Sequence, residues 1–317
     1  MSTTPTTIRA AAVQTEARLG DVDANLADCA RLADQAVRAG ATWVVLPEFF
    51  STGIGYLPEL SARAPSIDGE PTRLLAGLAT RHGIHVGGST LVRDPDGEVR
   101  NAFLLFGPDG LAGRHDKDLP TMWESALYTG GRDPGRLDVA GTTVGVALCW
   151  ELMRSQTVAR LGGEVDLVVG GSGWWSLPEW PLLGGAERRN HARATAAPAT
   201  FARYVGAPVV HAAHAGRVAC DFLGTPLRYR GRLEGGAQIC DARGRVLAYR
   251  DRDQGAGVVL ADVTLGRATP TFASDRFWLQ RRGAVAATAW HFHNAVGRRA
   301  YARAQQRRHH RPEESTR

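Results

Sequence analysis

The chain has 317 residues, 44% of them hydrophobic and 22% charged, a balance that suits one large buried core. Residues 298–317 hold seven arginines against two glutamates, a net +5 of the formal +6, so the rest is close to neutral. That tail has no aromatic–basic module beside it, which argues against nucleic-acid binding, and no apolar run approaches the roughly 18–20 residues of a membrane helix. The polar start from Met1 to Thr7 lacks the order of a signal peptide, and the cysteines at 29, 149, 220 and 240 show no close pairing. These features lead us to expect a cytoplasmic protein without a disulfide framework or a metal site.

Periodicity and turn signals predict, in chain order, a strand over 8–14 and a helix over 25–39. That helix carries Leu26, Ala30, Ala33 and Val37 on one face and stops at Gly40. A strand over 42–47 follows. A helix over 71–82 opens on Pro71 and ends at Gly83, ahead of strands over 84–92 and 102–106 with a turn at 94–97. A strand over 143–149 runs into a helix from about 152 to 161. Strands over 165–170 and 208–213 flank a helix over 185–204, and strands over 237–240 and 257–263 close the pattern, with a turn at 241–244. The order is mixed α/β with hairpins. It predicts one domain over 1–274, then a C-terminal arm and basic tail over 275–317 that is disordered from Arg308.

Three segments place reactive side chains at element ends. Glu48 follows a buried strand between Pro47 and two phenylalanines, where desolvation lifts a carboxylate toward proton exchange near neutral pH. A loop glutamate capping a backbone amide is the plainer alternative. Lys117 is the one lysine among 38 basic residues, and Glu124 lies seven residues later, in a stretch whose proline and threonine predict an irregular loop. A compact, tunable ammonium differs from a guanidinium, so a site needing it resists replacement by arginine; chance survival of a solvated lysine is equally open. Cys149 ends an apolar strand where a helix begins, an elbow that exposes a nucleophile and favours its thiolate. A buried structural cysteine remains the alternative, and is the reading kept for Cys29, Cys220 and Cys240.

Glu48, Lys117 and Cys149, in this order and setting, resemble the Glu–Lys–Cys triad of the nitrilase superfamily of carbon–nitrogen hydrolases. The similarity covers about residues 8–265. It includes Ala11-Ala-Val-Gln14, Leu46-Pro-Glu48 and the stretch from Gly235 to Gly244. The resemblance implies a four-layer αββα sandwich, self-association as a homodimer or larger homo-oligomer, and no cofactor. It also implies that Glu124 orients Lys117. Cys149-Trp-Glu151 and Lys117-x-x-Pro-Thr-x-x-Glu124 are closest to the nitrilase branch. Leu152 and His115-Asp116 depart from it, so the substrate bond stays open between nitrile and amide.

The implied chemistry is attack by Cys149, proton transfer to Glu48, and charge stabilisation by Lys117 with the amide after Cys149. Its substrate is a small nitrile, with an amide or N-carbamoyl amide as alternative and a catalytically inactive scaffold as a minor one. Phe50, Trp123, Trp150, Trp174 and Trp175 cluster near the active segments and are candidates for binding a flat substrate. Filling a core or an interface is an equally open role for them. His211 and His214 are read as structural.

Overall fold

The computed structural model describes residues 6–180, 183–271 and 284–309. Its strands form two groups of six. In the first, β1 (Thr7–Thr15), β2 (Trp43–Val45) and β3 (His85–Arg93) run parallel, and β4 (Val99–Gly107) and β5 (Gly110–Asp116) continue antiparallel to the edge. The last strand, β14 (Gly257–Thr264), lies antiparallel on the other side of β1. The second group runs β6 (Arg136–Val139), β7 (Thr142–Val146), β8 (Leu167–Ser172), β9 (Val209–His214), β12 (Gly235–Cys240), β13 (Val246–Asp251). Only the last residues of β1 join the groups, through Gln14 opposite Ala213 and Thr15 opposite His214. A separate hairpin is made by β10 (Arg217–Asp221) and β11 (Arg228–Arg232).

Strand side chains alternate between two dry environments, which is why these strands read as near-continuous apolar runs. Ala10, Ala12, Trp43 and Val45 of the first group meet Val144, Val146, Val169 and Val210 of the second between the sheets. The intervening Ala11, Val13, Val44 and Leu46 face outward onto helices α1 (Val22–Arg38) and α3 (Glu70–His82). On the far side, Val168, Val209 and Cys240 pack on α4 (Ser155–Leu161) and α5 (Gly184–Val205). The layers therefore run α, β, β, α, as the resemblance implied.

The sequence reading differs from the structure at three places that bear on the site. The residues before Lys117, for which no element was predicted, form a strand: Arg114, His115 and Asp116 end the edge strand β5. The helix predicted from about 152 to 161 starts only at Ser155, as α4, because a five-residue 3-10 turn, Cys149–Met153, comes first. No helix was predicted in the C-terminal arm; its described part is α6 (Ala284–His309), which packs on the 3-10 turn Met122–Ala126 and on α2 (Pro58–Ala62). The expected domain boundary and residues 310–317 lie outside the described residues. The contact with the turn is close. A Cβ at Gly297 would sit 2.2 Å from Ser125 Oγ, so only glycine lets the helix approach.

Candidate active site

Glu48, Lys117, Glu124 and Cys149 come from four separate segments, and all are fully buried. Glu48 lies in the loop that leaves β2. Its carbonyl oxygen accepts from His214 Nε2 at 2.5 Å, and His214 Nδ1 is 2.6 Å from Thr15 Oγ1. Burial lowers His214 to about 4, so the neutral ring accepts from the threonine and donates to Glu48. This histidine stands where the two sheets join and fixes the loop. Gly171 of β8 passes so near that a Cβ there would lie 2.8 Å from Pro47 Cα.

Lys117 directly follows β5 and is anchored by its own backbone, with N donating to Asn101 O at 3.0 Å and O accepting from Gly131 N at 2.9 Å. Its Nζ donates to Glu48 Oε1 at 2.9 Å and to Glu124 Oε2 at 2.7 Å. Glu124 lies in the turn Met122–Ala126. Its Oε2 also accepts from Thr121 N at 3.0 Å and from the Tyr128 hydroxyl at 2.6 Å. Glu48 accepts further from Asn101 Nδ2 at 2.9 Å and from Gly173 N at 3.2 Å. Glu124 Oε1 is buried without a hydrogen-bond partner among the described residues.

Cys149 is the first residue of its 3-10 turn and has a φ of +49°, in the left-handed region that non-glycine residues rarely occupy. Its thiol is fully buried and feels the charges of Glu48, Lys117 and Glu124. Burial and the Glu48 carboxylate push that thiol well above its ordinary range, against the pull of Lys117. The resting form is the thiol, not the thiolate expected from a helix N-terminus. Burial also raises Glu48, opposed by Lys117 and reinforced by Glu124. Burial alone would depress Lys117, but Glu124 and Glu48 outweigh it and keep the ammonium charged.

A second charged group lies against the first. Glu151 is 1% exposed, and its two oxygens accept from Leu148 N at 2.9 Å and Asp118 N at 3.0 Å. His115 is fully buried. Its Nε2 lies 3.1 and 3.2 Å from the oxygens of Glu151, and its Nδ1 lies 2.5 Å from Asp133 Oδ1. Sequence reasoning assigned no role to His115, Asp133, Asn101, Tyr128 or Glu151. The available signals were the polar run Arg114–Asp118 around Lys117 and the single carboxylate of Glu151 in the apolar stretch that holds Cys149.

The aromatic candidates divide. Phe50 packs with Leu46 and Leu104 in the layer under α1 and α3, away from the charged groups; its neighbour Phe49 instead faces Tyr128, with ring centroids 6.0 Å apart. Backbone direction explains the exchange, because Phe49 has a φ of +54° and turns the chain. Trp123 meets Trp175 edge-on at 4.8 Å, and Trp150 stacks on Trp290 at 5.3 Å and tilts against Trp174 at 5.9 Å. The four candidates Trp123, Trp150, Trp174 and Trp175 lie on or against the turns that carry Glu124 and Cys149. Among the described residues no group of three or more His, Cys, Asp or Glu side chains is arranged to hold a metal ion, and no helix is long and apolar enough to cross a membrane.

The architecture is shared widely. A carbon–nitrogen hydrolase from Helicobacter pylori superposes with a TM-score of 0.69 at 17% identity, covering 81% of this chain and 89% of that one. Nit3 of Saccharomyces cerevisiae, a nitrilase-superfamily member, gives 0.63 at 20% identity, covering 81% and 90%. In sequence, an ω-amidase of Xenopus laevis is 31% identical over 175 residues, or 50% of this chain and 62% of the relative. An aliphatic nitrilase of Sinorhizobium fredii is 31% identical over 167 residues, 46% of this chain and 54% of the relative. The chain thus aligns with less than two thirds of the length of these relatives. The model of the carbon–nitrogen hydrolase family, however, matches residues 9–272, nearly the whole described fold. This chain is a member of the carbon–nitrogen hydrolase family.

Proposed function

We propose that the protein is a thiol hydrolase that converts a small nitrile to a carboxylic acid and ammonia, with Cys149 as nucleophile. The observation that carries this is the bridge of Lys117 Nζ between Glu48 and Glu124, with the buried Cys149 thiol subject to the charges of all three. Cys149 Sγ attacks the nitrile carbon while its proton passes to Glu48, which burial has made a stronger base than an exposed carboxylate. The anionic nitrogen is met by Lys117 and the backbone N–H of Trp150, and takes the proton back from Glu48 to give a thioimidate and a free Glu48 carboxylate. One water, deprotonated by Glu48, adds to the carbon and ammonia leaves, giving the thioester. A second water releases the acid and restores the thiol. Glu124 holds Lys117 in place with Oε2 and offers Oε1 to substrate or water. Trp123, Trp150, Trp174 and Trp175 shape the pocket.

Nitrile chemistry is favoured by Cys149-Trp150-Glu151 and the Lys117–Glu124 spacing. Amide hydrolysis needs the same groups and one water fewer, and is supported by ω-amidases about as similar as the nitrilase. Ammonia release from a panel of nitriles and amides separates them. A folded protein that releases ammonia from neither class would overturn the hydrolase reading in favour of a scaffold. The working form is proposed to be a cytoplasmic homodimer or larger homo-oligomer. Light scattering at micromolar concentration checks the assembly.

A further inference from the structure

Glu151 bridges the two segments that bear the reacting groups. It takes the N–H of Leu148, one residue before Cys149, and the N–H of Asp118, one residue after Lys117. Its own orientation depends on His115, whose other nitrogen is held by Asp133; Asp133 in turn accepts from the backbone N of Asp116 and of Gly135. Between two carboxylates both ring nitrogens must donate, so the ring is an imidazolium. The groups around it are few. Phe103 of β4 is its apolar partner across the strand pair, and Arg160 of α4 lies 3.7 Å from Glu151. Asp118 is neutralised by Arg154, and Asp116 pairs with Arg114 at 2.7 Å.

We infer that His115 is a positioning residue, whose imidazolium, fixed between Asp133 and Glu151, locks the Lys117 segment to the strained Cys149 turn and so keeps the thiol aimed. The inference rests on the proposed role of Cys149. One carboxylate holds the N–H groups of both Leu148 and Asp118, so a loss of its fixed orientation releases both at once. Without the imidazolium, buried Glu151 and half-buried Asp133 face each other across a neutral ring, and repulsion drives them apart. The left-handed backbone at Cys149 then loses the bond that over-determines it.

Alkylation by iodoacetamide, followed peptide by peptide with mass spectrometry, tests this without knowing the substrate. Wild type is expected to be alkylated at Cys149 ahead of Cys29, Cys220 and Cys240. In folded His115→Gln the Cys149 rate at pH 7.5 should fall by at least about tenfold. Asp133→Asn leaves the ring with one carboxylate. Its Cys149 reactivity should match wild type at pH 7 and decline on the alkaline side at least about one pH unit earlier. A purely structural role would lower the melting temperature and leave that pH profile unmoved. The inference alone is overturned if wild-type Cys149 is reactive but the His115→Gln rate stays within about twofold, or if the Asp133→Asn profile overlays wild type. Should His115→Gln not fold, the Asp133→Asn profile decides. No preferential alkylation of wild-type Cys149 overturns the thiol-hydrolase reading, and this inference with it.

Discussion

Glu48 and Glu151 are both buried glutamates, one from a distant segment whose charge acts on Cys149 and one two residues after it in the chain, and their environments drive them in opposite directions. Glu151 has the Nε2–H of the His115 imidazolium and two short backbone N–H bonds, which together overcome burial and hold it well below the carboxylate range. Glu48 shares the Lys117 ammonium with nearby Glu124, which repels it, and receives its backbone N–H at 3.2 Å, so burial wins and its carboxyl is raised. Burial alone does not decide whether a carboxylate is reactive; the donors and charges set against it do. The saturated glutamate ties the frame together, and the undersupplied one can take and return a proton.

The largest expected effect removes the nucleophile beside Glu48. Cys149→Ala should abolish ammonia release, by at least about 10³-fold, with an unchanged circular dichroism spectrum. Residual turnover of more than a few per cent would take Cys149 out of the mechanism. Next, Lys117→Arg conserves charge but places a larger, forked cation where no surface is exposed. We expect kcat to fall at least about a hundredfold, and stability to fall by roughly 1–3 kcal/mol from overpacking. Activity within threefold of wild type would show the single lysine to be incidental.

A smaller perturbation sharpens the contrast between the two glutamates. Asn101→Leu deletes a donor to Glu48 Oε1 and so starves it further. The acidic limb of the kcat/KM profile should move up by roughly 0.5–1 pH unit, because the lost bond favoured the charged form. A downward shift or none would mean that Glu48 is not the base. The Glu151 side is probed through stability. His115 is raised from 6.5 to about 10 by its two carboxylates, although burial opposes them. Its contribution is therefore complete below pH 6.5 and disappears as the pH rises through about 10. Urea midpoints should decline over that window in wild type, and His115→Gln should flatten the decline. The smallest effect lies far from both glutamates, on α6. The Tyr301 hydroxyl accepts from Val99 N at 2.8 Å and donates to Glu98 at 2.7 Å. Tyr301→Phe should cost about 1–3 kcal/mol in denaturant unfolding and leave kcat within about twofold.

The sequence made Glu48 and Cys149 legible because each closes or follows an apolar strand, Lys117 because it is the one lysine, and all three because their order matches a family motif. It concealed the strand that delivers Lys117. Arg114, His115 and Asp116 are polar, so no strand is read there, yet Asp94, Asp133 and Glu151 meet their side chains at distances from 2.5 to 3.1 Å. Partners distant in the chain cannot be inferred from local periodicity. Phe50 was misplaced for a different reason: the positive φ at Phe49 breaks the alternation by which a strand's faces are assigned. The helix α6 was missed because its contact face mixes Trp290, Asn294, Gly297 and Tyr301, a helical spacing carried by residues of very unlike hydrophobicity.

Lys117 is the only lysine, and its amine is fully buried. An amine-directed reagent therefore meets no side-chain amine on the native surface. Acylation of a lysine in this protein can only follow an excursion that opens the Glu48–Lys117–Glu124 cluster to solvent. The mass shift of the peptide containing Lys117, followed over time, becomes a clock for those excursions, read from one atom in the catalytic centre. It also means that conjugation chemistry can decorate the folded protein at its amino terminus without touching the site.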